Sequence, residues 1–264
     1  MKAVCLGPFG TFSHEMAMKV YGGEDILLLP TVGDVFATVI DQGCPGIVPV
    51  ENSDAGAVGP VMDCLREYPV FVTGEGYLNI RHHLAARNPS GPITVIYAHP
   101  QAHDQCRRFL ETIGAEIIHT SSNSASARLA AETIDAAAVT TEAAAVHEGL
   151  IILHEDIQNS RTNITRFIRI ERSPGPEVAK GKCSLIIDPG EDRPGLLYEI
   201  LGIFYSLSLN LSRIESRPSK REIGSYVFFI DVDIGQGIDR ALSRVREVAE
   251  LKNLGCYGRM EERP

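Results

Sequence analysis

Five consecutive residues, Asn163-Ile164-Thr165-Arg166-Phe167, hold the densest chemistry in this chain. They set a carboxamide, a hydroxyl, a guanidinium and an aromatic ring at the mouth of an apolar run, Phe167-Ile168-Arg169-Ile170. Such a group either serves a ligand or is the solvated side of an ordinary edge strand, and local pattern supports the two equally. On a regular strand Thr165 shares a face with Phe167 while Arg166 points the other way. Thr165 and Arg166 therefore reach one ligand only at an irregular backbone or at the strand's end. Otherwise Arg166 supports the site from behind, for instance by pairing with Glu51.

Three polar turns join this stretch as candidates. Gly7-Pro8-Phe9-Gly10 leads into Thr11, Phe12 and Ser13; Glu51-Asn52-Ser53 follows an apolar strand; Ser122-Asn123-Ser124 opens an alanine-rich segment. Free backbone N–H groups at a helix start favour an anion, and a carboxylate serves as well as a phosphate. Either Thr11 or Ser13 caps the helix that follows. In α/β sheets such turns gather at the carboxyl ends of strands. Their convergence describes a site for a small dianion, with helix termini and Arg166 replacing its water.

Other chemistries are poorly supported. Gly7 and Gly10 lack the Gly-x-Gly-x-x-Gly spacing, and there is no Gly-Lys-Ser/Thr. His99 and His103 have a metal-binding spacing without a third ligand nearby, so no metal is expected. No Gly-x-Ser-x-Gly introduces a serine nucleophile. A net charge of −9 argues against a nucleic-acid partner. The apolar start, Met1 to Leu6, is too short for a signal peptide, and no run approaches the roughly 20 apolar residues of a membrane span. The six cysteines are scattered without a Cys-x-x-Cys pair, which suits free thiols in a cytoplasmic protein.

Elements to position these residues are legible in 264 residues that are 44% hydrophobic. Strands are expected at Ala3–Leu6, Leu27–Leu29, Gly46–Val50, Val70–Thr73, Tyr77–Leu84, Pro92–Ala98, Ala115–His119, Ala136–Val139 and Leu150–Leu153, with helices between them. Thr31 caps one helix with Asp34 at the capping-box position, and Gly43 ends it. This alternation predicts parallel sheets in two lobes, with long strands near Val70–Leu84 and Ile151–Ile170 crossing between them. Residues 1–172 form this region and 173–182, rich in Pro, Gly and Lys, a linker. Residues 183–261 read as βαββαβ, a ferredoxin-like sandwich.

Six pieces in order resemble monofunctional prephenate dehydratases that carry a C-terminal ACT domain. They are Gly7–Ser13; Val50-Glu51-Asn52-Ser53 with Gly56; Glu75 with Ile80-x-His82-x-Leu84; His99-Pro100-Gln101 with Gln105-Cys106; Asn163-x-Thr165-Arg166-Phe167; and Glu215-Ser216-Arg217-Pro218. The resemblance implies an α/β fold with a two-lobed catalytic domain like periplasmic binding proteins, its active site between the lobes. It implies decarboxylative dehydration of prephenate to phenylpyruvate without a cofactor, in phenylalanine synthesis. Thr165 takes the family's catalytic position, and Thr11, Phe12, Ser13, Glu51, Asn52, Ser53, Ser122, Asn163, Arg166 and Phe167 are expected around the substrate. Gly195, Leu196, Leu197, Glu215, Ser216, Arg217 and Pro218 fall where the family binds its effector, L-phenylalanine. Leu196 stands where the family has alanine, and Asn123 where it has threonine. A homodimer or homotetramer through the ACT unit is expected. Arogenate dehydration, or amino-acid sensing without turnover, are the alternatives.

Overall fold

The computed structural model describes every residue except Met1, Glu24, Glu191, Asp192, Ile223 and Pro264. The first lobe contains β1 (Ala3–Leu6), α1 (Phe12–Tyr21), β2 (Ile26–Leu29), α2 (Val32–Gln42), β3 (Gly46–Asn52), β4 (Gly56–Ala57), α3 (Gly59–Glu67) and β5 (Phe71–Asn79). Thr11 and Thr31 cap α1 and α2 by accepting the N–H of His14 and Asp34. The chain crosses through Ile80-Arg81-His82 into the second lobe. There follow β6 (His83–Ala86), β7 (Val95–Ala98), α4 (Pro100–Leu110), β8 (Glu116–His119), α5 (Asn123–Glu132), β9 (Ala136–Thr140), α6 (Glu142–His147) and β10 (Ile151–His154). A second crossing returns it to the first lobe as β11 (Ile164–Glu171).

The first sheet runs β2-β1-β3-β11-β5, with β4 attached to β3; the second runs β10-β6-β9-β7-β8. β1 is parallel to β2 and β3, but β11 is antiparallel to both of its neighbours. In the second lobe β6 is antiparallel to β9 and β10. The sheets are thus mixed where the sequence suggests parallel ones, because the reversed strands flank the crossings and arrive from the other lobe, not from a helical crossover. The two strands expected over Val70–Leu84 are instead β5 and β6. Gly74 and Gly76 do not break β5; a Cβ at either would lie 2.7 Å from Met260, so they make room for that side chain.

The third unit comprises β12 (Lys182–Asp188), α7 (Leu196–Ser206), β13 (Leu211–Pro218), β14 (Tyr226–Asp233), α8 (Ile238–Val248) and β15 (Glu250–Tyr257), with strand order β13-β14-β12-β15. Strand alternation gives its sheet two apolar faces. Leu185, Ile187 and Ile230 pack under the helices with Ile200, Phe204 and Leu242. Ile186, Val227, Phe229, Leu254 and Tyr257 join one core with Val48, Val50, Met62 and Ile168 of the first lobe. Lys252 Nζ also donates to the carbonyls of Leu65, Arg66 and Tyr68 at 2.8, 3.0 and 2.6 Å, closing the C-terminal end of α3. After β15 the chain returns to the first lobe, where Met260 N donates to Glu75 O and its side chain is buried beside Met16 and Phe167.

Cys183 and Cys256 face each other across β12 and β15 and form a disulfide, which corrects the expectation of six free thiols. Strand pairing brings together residues 73 apart, which spacing alone does not reveal. Cys5, Cys44, Cys64 and Cys106 are free. Among the described residues no helix is long and apolar enough to cross a membrane.

Candidate active site

Between the lobes lies a cleft of about 310 Å³, next to both crossings. Thr165 sits on its wall, 7% exposed, paired in register with Asn52 of β3 and Leu78 of β5. Asn52 Nδ2 donates to Thr165 Oγ1 at 2.9 Å and to Asn163 Oδ1 at 2.7 Å. Asn52 Oδ1 accepts the N–H groups of Asp54 and Ala55 at 3.1 and 2.9 Å. Those two bonds settle which end of the carboxamide is oxygen, so its NH₂ must face Thr165. The Thr165 hydroxyl therefore spends acceptor capacity on an amide, and its proton remains free to be donated. Asn163, 2% exposed, keeps a buried Nδ2 with no hydrogen-bond partner among the described residues.

Helix starts supply the rest of the wall. Thr11, Phe12 and Ser13 come from the first turn of α1, His99, Gln101 and Ala102 from that of α4, and Ser121, Ser122 and Asn123 from that of α5. The three N-termini approach from both lobes, each with partial positive charge and unbonded N–H groups. None of the side chains lining the cleft carries a formal charge. The hydroxyls of Thr11 and Ser122 are used as caps, accepting from His14 N at 3.3 Å and Ala125 N at 3.0 Å. The hydroxyls of Ser13 and Ser121 make no hydrogen bond among the described residues and remain available.

His82, on the first crossing, is 2% exposed and touches Gln105 Oε1 through Nε2 at 2.9 Å. Burial lowers its pKa to about 4, against the opposing hydrogen bond from Gln105, so the ring is neutral. With Nε2–H donating to Gln105, Nδ1 is a buried acceptor without a partner, as is Asn123 Oδ1. Burial, and then His119, also lower the pKa of His99.

The lobes are pinned at the turn before α1. Thr141 donates to Gly10 O at 2.6 Å and Ser124 to Phe9 O at 2.5 Å, both from the second lobe. Gly10 has φ +78°, and a Cβ there would meet Ala144 Cβ at 2.7 Å.

Of the residues expected at the substrate, the structure brings Thr11, Phe12, Ser13, Asn52, Ser122, Thr165 and Phe167 to one cleft. Four others are elsewhere. Ser53 pins the strand mouth, accepting Ile164 N and donating to Thr162 O. Asn163 lies behind the wall, bonded to Asn52. Glu51 and Arg166 lie on the opposite face of the sheet. Arg166 Nη1 donates to Asp231 Oδ2 at 2.5 Å and Nη2 to Tyr257 OH at 2.9 Å, both in the third unit. Its Nε is 2.8 Å from Glu75 Oε2 but poorly aimed, so that contact is Coulombic and not a hydrogen bond. Glu51 pairs with Arg213 at 3.3 Å and lies 3.8 Å from Arg166. Burial opposes the Arg166 charge, yet Tyr257, Asp231 and Glu75 together outweigh it and raise the pKa. Strand alternation decides this placement, and the register shift between Arg166 and Phe167 does not undo it.

Ile80, His82, His99, Gln101 and Gln105 line the cleft without having been assigned a role from the sequence. Gln101 and Gln105 stand four apart on α4, a polar stripe beside buried Ala102 and Cys106; that spacing was the available signal.

A second cavity, of about 250 Å³, opens under the start of α7 and includes Gly195, Leu196 and Leu197. Leu196 is 4% exposed and packs into the helix-side core of its unit. Phe228 and Tyr226 on its wall are the cross-strand partners of Ser216 and Pro218, which share that face of the sheet. Glu215 and Arg217 face the first lobe instead, and Arg217 reaches Asp63 at 3.4 Å. The seven expected effector residues are thus divided between two faces of β13 and one helix start.

Comparison with known proteins agrees with this architecture. Residues 3–175 match the prephenate dehydratase family and residues 190–250 the ACT domain. A prephenate dehydratase of Methanocaldococcus jannaschii is 35% identical over 235 residues, 86% of this chain and 86% of its own. The prephenate dehydratase of Arthrobacter aurescens, solved in complex with L-Phe, superposes with TM-score 0.87 at 31% identity, covering 100% of this chain and 92% of the other. A structure described as GqqA, a novel type of quorum quenching acylase, superposes with TM-score 0.87 at 25% identity, covering 98% of both. With two lobes around an uncharged cleft, a matching catalytic region over most of its length and a βαββαβ unit behind it, the chain belongs to the prephenate dehydratase family and carries a C-terminal ACT domain.

Proposed function

We propose that the interlobe cleft converts prephenate to phenylpyruvate, water and CO₂, and that the observation carrying this reading is the oriented Asn52–Thr165 pair. The ring C–COO⁻ bond breaks to release CO₂, its electron pair enters the ring, and the C–O bond to the ring hydroxyl breaks. The departing hydroxide takes a proton that ultimately comes from solvent. Thr165, held as an acceptor by Asn52, directs its O–H at the developing hydroxide, where a positioned donor acts most strongly. The helix starts of α1, α4 and α5 hold the two carboxylates by N–H groups and partial charge. The uncharged wall offers the departing carboxylate no cationic partner to stabilise it against loss as neutral CO₂.

The cleft has no acidic side chain to receive an ammonium group, which favours the keto acid prephenate over arogenate. Acyl transfer is disfavoured by the pairing of the polar groups. Thr165 is served by an amide, His82 by Gln105 and His99 by the N–H of Gln101, so no hydroxyl is matched with an imidazole base. Feedback by L-phenylalanine fits the cavity under α7. Assembly as a homodimer fits the unpaired outer edge of β13 and the exposed Tyr198 and Tyr205 of α7, 82% and 86% accessible. A cytoplasmic location suits a small-molecule biosynthetic step.

The test is phenylpyruvate formation from prephenate by the purified protein and by Thr165→Val. The variant keeps the shape and removes the donor, so kcat should fall about 10²- to 10³-fold with KM little changed. Near-wild-type turnover in the variant would sink the assignment, and absence of turnover in the wild type would sink the reaction.

A further inference from the structure

In β3 and β11 the active site and the ACT domain are one residue apart. Thr165 pairs with Asn52 and Arg166 with Glu51, in consecutive register positions. Alternation sends the first pair to the cleft and the second through the sheet. On that far side both members are held by the ACT sheet. Arg213 of β13 meets Glu51 at 3.3 Å, and Asp231 of β14 meets Arg166 at 2.5 Å. Arg213 and Asp231 are themselves cross-strand partners. The four charges therefore form two adjacent pairs, backing the two residues next to the catalytic hydrogen bond. Asp231 also accepts from Ser184 at 2.5 Å, which ties the cluster to the centre of the ACT sheet. These side chains are little exposed apart from that of Glu51, at 39%.

Arg213 lies two residues before Glu215 on β13, the strand that also carries Ser216 and Pro218 beside the α7 cavity. A ligand that shifts β13 by a fraction of an ångström must move Arg213, because a strand transmits displacement along its length. We infer that Asp231 is a positioning residue for the Asn52–Thr165 pair, acting through Arg166, and that effector occupancy of β13 reaches turnover through the Arg213–Glu51 contact. This rests on the feedback reading above and specifies the path by which the ACT domain acts on the cleft.

The experiment combines prephenate kinetics with calorimetric titration of L-phenylalanine, on wild type, Arg213→Gln, Glu51→Gln, the double variant and Asp231→Asn. Arg213→Gln should bind phenylalanine within about twofold of wild type and keep basal kcat within about threefold, while saturating phenylalanine no longer lowers its turnover. Glu51→Gln, which removes the same contact from the catalytic side, should lose the response equally, and the double variant should lose no more than either single one. Asp231→Asn should lower kcat about tenfold with KM unchanged within about twofold, the signature of misplaced chemistry and not of lost binding. Circular dichroism identifies any variant that fails to fold, and the partner variant then decides. Phenylalanine binding and inhibition in Arg213→Gln as in wild type would overturn the coupling path, and unchanged kcat in Asp231→Asn would overturn the positioning role. A wild type that turns over prephenate identically with phenylalanine bound would overturn the feedback reading; the Asp231→Asn kinetics then still judge the positioning.

Discussion

At the scale of single residues, the site depends on which atom of Asn52 faces Thr165. The carboxamide is locked by two backbone N–H groups, so it gives a donor to the threonine and never an acceptor. Asn52→Asp replaces that donor by a carboxylate that accepts the threonine proton and repels a dianion. Steady-state kinetics should show kcat/KM reduced at least about 10²-fold, a loss comparable with Thr165→Val. His82 illustrates a linkage effect at the same scale. Its pKa is lowered from 6.5 to about 4, chiefly by burial, so the unfolded chain binds this proton more readily than the folded one. The stability it contributes is fully present above about pH 6.5 and is lost as pH falls toward 4, by on the order of 3 kcal/mol in total. Urea unfolding from pH 7 to pH 4.5 should show this slope, and His82→Leu should flatten it.

At the scale of elements, the proposed dianion site relies on helix starts where other anion sites use basic side chains. Each is worth about 0.3–1 kcal/mol toward a nearby negative charge at an exposed end, and more when partly buried. Three of them, converging from two lobes, hold a dianion only if the lobes stay at their present separation. Gly10 measures that separation, because a Cβ on it would lie 2.8 Å from Ala144 Cα in the second lobe. Gly10→Ala adds an atom into this contact and strains a positive φ. KM for prephenate should rise about tenfold, and a variant with unchanged KM would show that the lobes adjust freely.

At the scale of the whole molecule, the ACT domain is part of the catalytic domain's core and not an appendage on a linker. Ile186, Val227, Phe229, Leu254 and Tyr257 are buried in the cluster that also holds Val48, Met62 and Ile168. Uncovering about five such side chains costs on the order of 10 kcal/mol at roughly 1.5–3 kcal/mol each. That is comparable with the entire stability of a domain, about 5–15 kcal/mol. A chain ending at Glu171 should therefore show no cooperative melting transition by circular dichroism, where the full chain melts sharply. Independent folding of that fragment would mean that the shared core contributes far less than its burial implies.

The sequence by itself determined the local structure and singled out seven of the residues that the fold brings to the cleft. Thr11, Thr31 and Ser122 act as caps because a hydroxyl one step before a helix satisfies its first N–H groups wherever the helix ends up. The βαββαβ order is read from hydrophobic period and turn residues, which are local properties. Thr165 was marked as chemical by its neighbours. Three things were decided only by the tertiary structure. Strand direction in β6 and β11 depends on the crossing between lobes, and the pairing of Cys183 with Cys256 on the register of β12 and β15. What Arg166 and Glu51 meet on the far face depends on what packs behind the sheet. Alternation along β11 says that Arg166 turns away from Thr165, but not that an aspartate 65 residues further along the chain is waiting there. Periodicity is carried by neighbours in sequence, whereas an ion pair through a sheet is created only when distant segments fold against each other.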